Sequence, residues 1–219
     1  MSKEKMKILF YGDSITDMGR NRESEIGSVF SFGAGYPFIV ASELGRKSPI
    51  GYEIINRGIS GNRIVDLYAR IKADVWNLKP DVLSILIGIN DIWHEIACEN
   101  GVDPIRFEKV YSMLIEDTLK VLPDLKIVLL EPFVLKAATT EMRYDSFLQV
   151  KVYAKIVKKL SEKYGLYFIP LQEKFDKASS RYGVEPYLFD GVHPNVAGAT
   201  LIADEWIKFF NKEIKEKQL

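Results

Sequence analysis

The sequence predicts an α/β protein, a three-layer α/β/α sandwich around a mainly five-stranded parallel sheet. Three observations point there. Short runs rich in Val, Ile and Leu alternate along the chain with amphipathic helical stretches, which is the signature of successive βαβ units. The runs are apolar at nearly every position, as strands covered on both faces must be. Glycines at 12, 58, 61 and 88 fall at or just beyond the ends of these runs, where a parallel sheet holds its ligands.

The predicted strands are 7–12, 53–56, 81–88, 126–131 and 166–170. Between the first two, Tyr36-Pro37 opens a helix that reaches Leu44. Asn62 is a plausible N-cap for a helix running through Trp76 and Leu78. Pro104 suits the first turn of a helix reaching Leu122, because proline lacks only an N–H that is unpaired there. Residues 145–164 carry Phe147, Val150, Val152, Ile156, Val157 and Leu160 at helical spacing. Pro194 opens a last helix that ends near Phe209-Phe210. The tail Lys212-Glu213-Ile214-Lys215-Glu216-Lys217 is expected to be a solvated helix end. The least regular stretches are 17–36 and 133–145, and the first, rich in glycine and aromatics, is placed to wall a pocket. No internal repeat or long linker interrupts residues 1–219, so one domain is expected.

Composition excludes several classes of function. Thirty basic residues balance thirty acidic ones, which leaves no electrostatic footprint for nucleic acid. A single cysteine, Cys98, allows no internal disulfide and fits a reducing compartment. The first apolar run is broken by Gly12-Asp13, too early for a signal peptide, and no run is long enough to span a membrane. A soluble cytoplasmic protein is therefore expected. Two distant histidines and one cysteine lack metal-ligand spacing, and neither a metal nor a cofactor is expected.

The chemistry lies in four segments. Gly12-Asp13-Ser14 follows Ile8-Leu9-Phe10-Tyr11, which would put a hydroxyl at the rim of the sheet. Asp190-Gly191-Val192-His193 places one of the two histidines three residues after an acid. A serine hydroxyl is a poor nucleophile until an imidazole takes its proton, and the imidazole needs a third group to set its tautomer. Asn56-Arg57-Gly58-Ile59-Ser60-Gly61-Asn62 and Gly88-Ile89-Asn90-Asp91 each add a glycine turn after an apolar run. Backbone N–H groups and one carboxamide aimed at a single point would form an oxyanion hole. Asp13 and Asp91 are expected to hold their loops through bonds to backbone N–H groups.

Together the four segments resemble the SGNH hydrolases, also called the GDSL esterase family, from about residue 7 to residue 210. The resemblance implies a flavodoxin-like sheet and assigns roles by position. Ser14 would be the nucleophile and an oxyanion donor, Gly61 and Asn90 the other donors, and Asp190 and His193 the remaining members of a triad. Gly58 competes with Gly61, which is favoured because it follows Ile59-Ser60 as in the family pattern. Ile15 stands where the family often has leucine. The segments around Ser14, Gly61 and Asn90 look most like the acetylxylan-esterase-like branch, which implies an acetylated sugar as the small-molecule substrate and a possible homo-oligomer. Trp93 could then stack on a sugar, Arg57 and Arg63 could touch a hydroxyl or form surface ion pairs, and His94 would be a surface or pocket-wall residue. The alternatives are a lysophospholipase or thioesterase-like member of the family, or a flavodoxin-like binding module. The chain shows neither a Gly-x-Gly-x-x-Gly after its first strand nor a Walker-type phosphate loop.

Overall fold

The computed structural model describes residues 5–215. Strands β1 (Met6–Gly12), β2 (Tyr52–Gly58), β3 (Val82–Leu86), β4 (Lys126–Leu130) and β5 (Tyr167–Ile169) form one sheet in the order β2-β1-β3-β4-β5. Every neighbouring pair is parallel. This is the predicted α/β fold, with helices on both faces of a five-stranded parallel sheet.

Two adjacent residues of β1 show how the layers are built. Phe10 meets the rings of Tyr36 and Trp206, at centroid separations of 5.4 and 5.2 Å. Tyr11 instead donates its hydroxyl to the Leu67 carbonyl at 2.6 Å. Successive strand residues point to opposite faces, so Tyr36 and Trp206 belong to one helical layer and Leu67 to the other. The first layer pairs α2 (Tyr36–Lys47) with α10 (Val196–Phe209). The second joins α3 (Ile64–Ile71), α5 (Pro104–Val121) and α8 (Val150–Tyr164). Ile8, Leu9, Phe10 and Tyr11 are all fully buried, as a central strand covered on both faces requires. The polar Ser84, in the middle of buried β3, accepts the indole N–H of Trp206 at 3.1 Å, which satisfies both groups.

Several boundaries differ from the sequence expectation, each for a local reason. The helix after segment 56–62 begins at Ile64, with Arg63 rather than Asn62 at its cap, because the Asp66 carboxylate takes the Arg63 N–H at 2.8 Å. Asn62 spends its side-chain oxygen on the Arg70 guanidinium, at 2.8 Å. The helix also does not run evenly to Leu78, since a π turn occupies Lys72–Trp76. The last helix starts at Val196, and Pro194 pairs with Leu188 in an isolated bridge. Stretch 145–164 divides into α7 (Tyr144–Phe147) and α8, preceded by a single turn, α6 (Ala138–Glu141). The sequence reading missed α9 (Gln172–Tyr182), whose only buried residue is Phe175 and which therefore shows little apolar periodicity. A π turn over Phe210–Lys215 buries Phe210 and Ile214, so the tail is anchored where a solvated end was expected. Glu216 and Lys217 lie outside the described residues.

The connectivity decides where a ligand can bind. From β1 the chain passes to β2 on one side and then crosses to β3 on the other. The crossovers leave a crevice at the carboxyl ends of β1 and β3, the switch point where open α/β sheets bind ligands. Ser14 follows β1 in the one-turn helix α1 (Ser14–Asp17), and Asn90 follows β3 at the start of α4 (Ile89–Cys98).

Candidate active site

The register Gly12↔Gly58 and Gly12↔Leu86 sets the ends of β1, β2 and β3 level with one another. Asp13 caps α1 by accepting the Ile15 N–H at 3.0 Å, and Ser14 is the first helical residue. The N–H of a first-turn residue has no partner within its own helix, so the Ser14 N–H is available to a ligand. On the other side of the sheet, the segment after α9 returns as a tight loop. Leu188 pairs with Pro194 and the Phe189 N–H donates to the His193 carbonyl at 3.1 Å. Gly191 makes this loop possible. It sits at φ +94°, and a Cβ there would lie 2.4 Å from the Leu135 carbonyl oxygen and 2.4 Å from the Thr140 hydroxyl. The loop docks through a bond from the Leu135 N–H to the Gly191 carbonyl, at 2.8 Å.

These two loops bring Ser14 to Asp190 and His193, across most of the chain. Ser14 Oγ lies 2.7 Å from His193 Nε2, and His193 Nδ1 lies 2.6 Å from Asp190 Oδ2. The other oxygen, Asp190 Oδ1, accepts the N–H groups of Val192 and His193 at 2.9 and 2.7 Å. Burial works against the Asp190 charge, but these donors outweigh it and hold the carboxyl below its ordinary range. Burial also works against a charge on His193. The Asp190 hydrogen bond and charge prevail, and the imidazole is more basic than usual. An ionised acid, an oriented base and a hydroxyl thus stand in line.

The segments around Gly61 and Asn90 are laced to that of Ser14. The Ile59 N–H donates to the Gly12 carbonyl at 3.0 Å. Asp17 Oδ2 accepts both the N–H and the hydroxyl of Ser60, at 2.9 and 3.0 Å. Asn90 Nδ2 donates to the Asn62 carbonyl at 3.1 Å. A carboxamide nitrogen carries two hydrogens, so this bond orients Asn90 and leaves its second N–H for a ligand. The Gly61 N–H has no protein partner among the described residues. Its rival is already occupied, since the Gly58 N–H donates to Asn56 Oδ1 at 2.8 Å. A Cβ on Gly58 would also lie 2.4 Å from the Asp17 nitrogen, so this glycine serves the close packing of β2 on α1.

The wall residues are placed as follows. Trp93 leans on the His193 ring at 5.8 Å and on Phe147 at 5.4 Å. His94 lies over Gly61. Arg63 bonds Asp66 and Asn100. Arg57 faces Asp74 at 3.9 Å. Sequence reasoning missed four contributors. Phe189 stacks on His193 at 5.6 Å with its ring half exposed. Asp17 and Asn56 hold the loops, and both stand inside the motifs, where a residue that binds backbone looks the same as one that binds substrate. Arg70 bonds the carbonyls of Gly12 and Arg57, at 3.2 and 2.9 Å, from a helix with no motif of its own. A groove of about 480 Å³ beside α2 and β2 is lined by Phe32, Phe38 and Tyr52 and touches none of the triad-like residues.

Two carboxyls beneath the site are held against ionisation. Burial pushes Asp13 up to about 7 and Asp91 up to about 8. Asp91 accepts the Ile64 N–H, with its two oxygens at 3.1 and 3.3 Å. The unfolded chain releases the Asp91 proton near the ordinary carboxyl value and the folded protein only near 8. Across that window the folded state holds the extra proton, so stability falls as pH rises. Asp91→Asn keeps an acceptor and carries no titration. The Tm of the variant should fall less than that of the parent between about pH 5 and about pH 8. Parallel melting curves would refute this account.

A serine, an imidazole and a carboxylate stand in hydrogen-bonded series at the switch point of a parallel α/β/α sheet, the arrangement that serine hydrolases use. The chain belongs to the GDSL-like Lipase/Acylhydrolase family, whose sequence model matches residues 10–201. It is a carboxylic ester hydrolase. It is 36% identical to an acetylxylan esterase of Geobacillus stearothermophilus over 207 residues, covering 92% of each chain. The solved structure of that organism's acetylxylan esterase Axe2 superposes with a TM-score of 0.84 at 32% identity, over 95% of each chain. Axe2 has also been solved as a serine-to-alanine and an aspartate-to-alanine variant, both described as catalytic mutants. A GDSL-like protein of Parabacteroides merdae superposes with a TM-score of 0.89 at 37% identity, over 94% of this chain and 95% of that one. Among the described residues, no helix is long and apolar enough to cross a membrane.

Proposed function

We propose that the protein removes O-acetyl groups from hydroxylated alcohols of the sugar class, such as xylo-oligosaccharides, through an acyl-serine intermediate. The observation that carries this reading is the unbroken series Ser14–His193–Asp190 at 2.7 and 2.6 Å, with the aromatic rings of Phe189 and Trp93 against the imidazole. His193 takes the Ser14 proton as Oγ attacks the ester carbonyl. The negative charge that develops on the carbonyl oxygen is met by the N–H groups of Ser14 and Gly61 and by the Asn90 carboxamide. His193 then gives its proton to the leaving alcohol, and water attacks the acyl-serine by the same path in reverse. Asp190 keeps the imidazole in the tautomer that can accept at Nε2.

The sugar assignment is supported by the aromatic surface beside the imidazole, since the leaving alcohol must lie where Nε2 can protonate it. Flat apolar faces there suit a pyranose ring. The acetylxylan esterase relative adds to this reading. Its test is release of acetate from peracetylated xylose, run beside p-nitrophenyl acetate and p-nitrophenyl octanoate. The expected kcat/KM for the acetate ester exceeds that for octanoate by about tenfold or more, since each methylene that cannot be housed costs binding. A preference for octanoate would move the substrate to lipids or thioesters.

A further inference from the structure

Helix α4 lines the crevice with residues that share one face, Asn90, Trp93 and His94, at positions i, i+3 and i+4. The first bonds the Asn62 carbonyl and the second leans on His193. The third has no comparable assignment. His94 Nε2 is 3.9 Å from the point a Cβ on Gly61 would occupy, and apart from the glycine's chain neighbours no other heavy atom comes within 4 Å of that point. The missing side chain therefore leaves room for about one methyl group between the imidazole and the loop. Neither ring nitrogen of His94 has a hydrogen-bond partner among the described residues, although the side chain is half-buried. Burial and the nearby Arg63 charge both hold the ring neutral. A neutral imidazole offers one donor and one acceptor. Arg63 does not answer it, since its guanidinium bonds Asp66 and Asn100.

A half-buried polar group with no hydrogen-bond partner among the described residues is suited to a ligand. An acetyl group has only its carbonyl oxygen to offer, and the three oxyanion donors of the reading above claim that atom. The remaining polar atoms belong to the alcohol. We propose that His94 is a specificity-determining residue, whose ring hydrogen-bonds a free hydroxyl of the alcohol half of the ester. This inference rests on the carbohydrate-ester reading and names the residue that recognises the sugar.

The test compares two acetates with rings of similar size, methyl 2-O-acetyl-β-xylopyranoside and cyclohexyl acetate, of which only the first carries free hydroxyls. The readout is the ratio of their kcat/KM values. The parent protein should favour the xyloside by about tenfold or more. His94→Ala should lower the ratio about three- to tenfold, the loss of one hydrogen bond made to substrate. His94→Gln, which restores a donor and an acceptor at similar reach, should keep the ratio within about twofold of the parent. A parent ratio near one would overturn the carbohydrate reading and this inference with it. A strong parent preference that survives in His94→Ala would overturn the inference alone. So would an equal fall on both esters, which would mean that His94 merely supports the Gly61 loop.

Discussion

Ser14→Ala is expected to abolish acyl-enzyme turnover, with a loss in kcat of about 10⁴-fold or more. The magnitude follows from the geometry. The hydroxyl lies 2.7 Å from His193 Nε2, and without it no acyl-enzyme forms. What remains is the assistance that the oxyanion donors and the imidazole give to direct attack by water, which is typically worth a factor of about 10³–10⁴ over solution. Folding should be unaffected. Asp13 still caps α1 through the Ile15 N–H, and the side chain removed is outside the buried core. The measurement is p-nitrophenyl acetate turnover for both proteins at equal concentration, with a serine-directed phosphonate and mass mapping of the labelled peptide. Equal turnover in the two proteins, or label on a residue other than Ser14, would remove the nucleophile assignment.

Asp190→Asn is expected to lower kcat by a factor of the order of 10⁴, through the tautomer rather than through geometry. The asparagine oxygen can still accept the Val192 and His193 N–H groups. Its amide nitrogen would donate to His193 Nδ1, placing the imidazole proton on Nε2, where it faces Ser14 and cannot accept. The pH profile supplies a second readout. His193 must be unprotonated to act as the base, and in the parent its basicity is raised above the ordinary imidazole value by Asp190. Activity should therefore rise with pH through an ionisation above the usual histidine range. In the variant the residual activity should rise at lower pH, because burial then acts on the imidazole without the opposing carboxylate. Stability runs in the opposite sense. The raised His193 contributes stability below its unfolded value and loses it as pH climbs through the folded value, the range in which catalysis appears. The depressed Asp190 contributes above its unfolded value and loses its share in acid. An unshifted acid limb in Asp190→Asn would detach this carboxylate from the base.

The fold was legible because its strands are buried on both faces. Ile8, Leu9, Phe10 and Tyr11 read as a strand without knowledge of their neighbours, since no polar alternation is possible in a fully covered layer. Helices with a large apolar face were equally readable. The exceptions follow the same physics. Helix α9 turns mainly toward solvent and buries only Phe175, so the sequence carried no periodic signal for it. Pro194 looked like a helix start, but its bridge to Leu188 closes the His193 loop, a use of proline that depends on a residue across the loop. For Arg63 the sequence offered a surface ion pair or a substrate hydroxyl, and the structure shows the ion pair, on Asp66, with Asn100 as a further partner.

The same division holds at the site. The sequence by itself determined which chemical groups are present and at which strand ends they emerge, because glycine turns after buried runs constrain the backbone locally. It determined the triad-like set Ser14, Asp190 and His193 as residue types in a recognisable order. Only the tertiary structure decided that Ser14 and His193, 179 residues apart, stand 2.7 Å from one another. It also decided that the Gly58 N–H is taken while that of Gly61 has no partner among the described residues, and that Phe189 lies on the imidazole. Those facts depend on which loops the parallel crossovers bring to the β1–β3 switch point and on which donors neighbouring segments have already used. Hydrogen-bond occupancy is a property of the whole packed chain, so no local pattern of residues can report it.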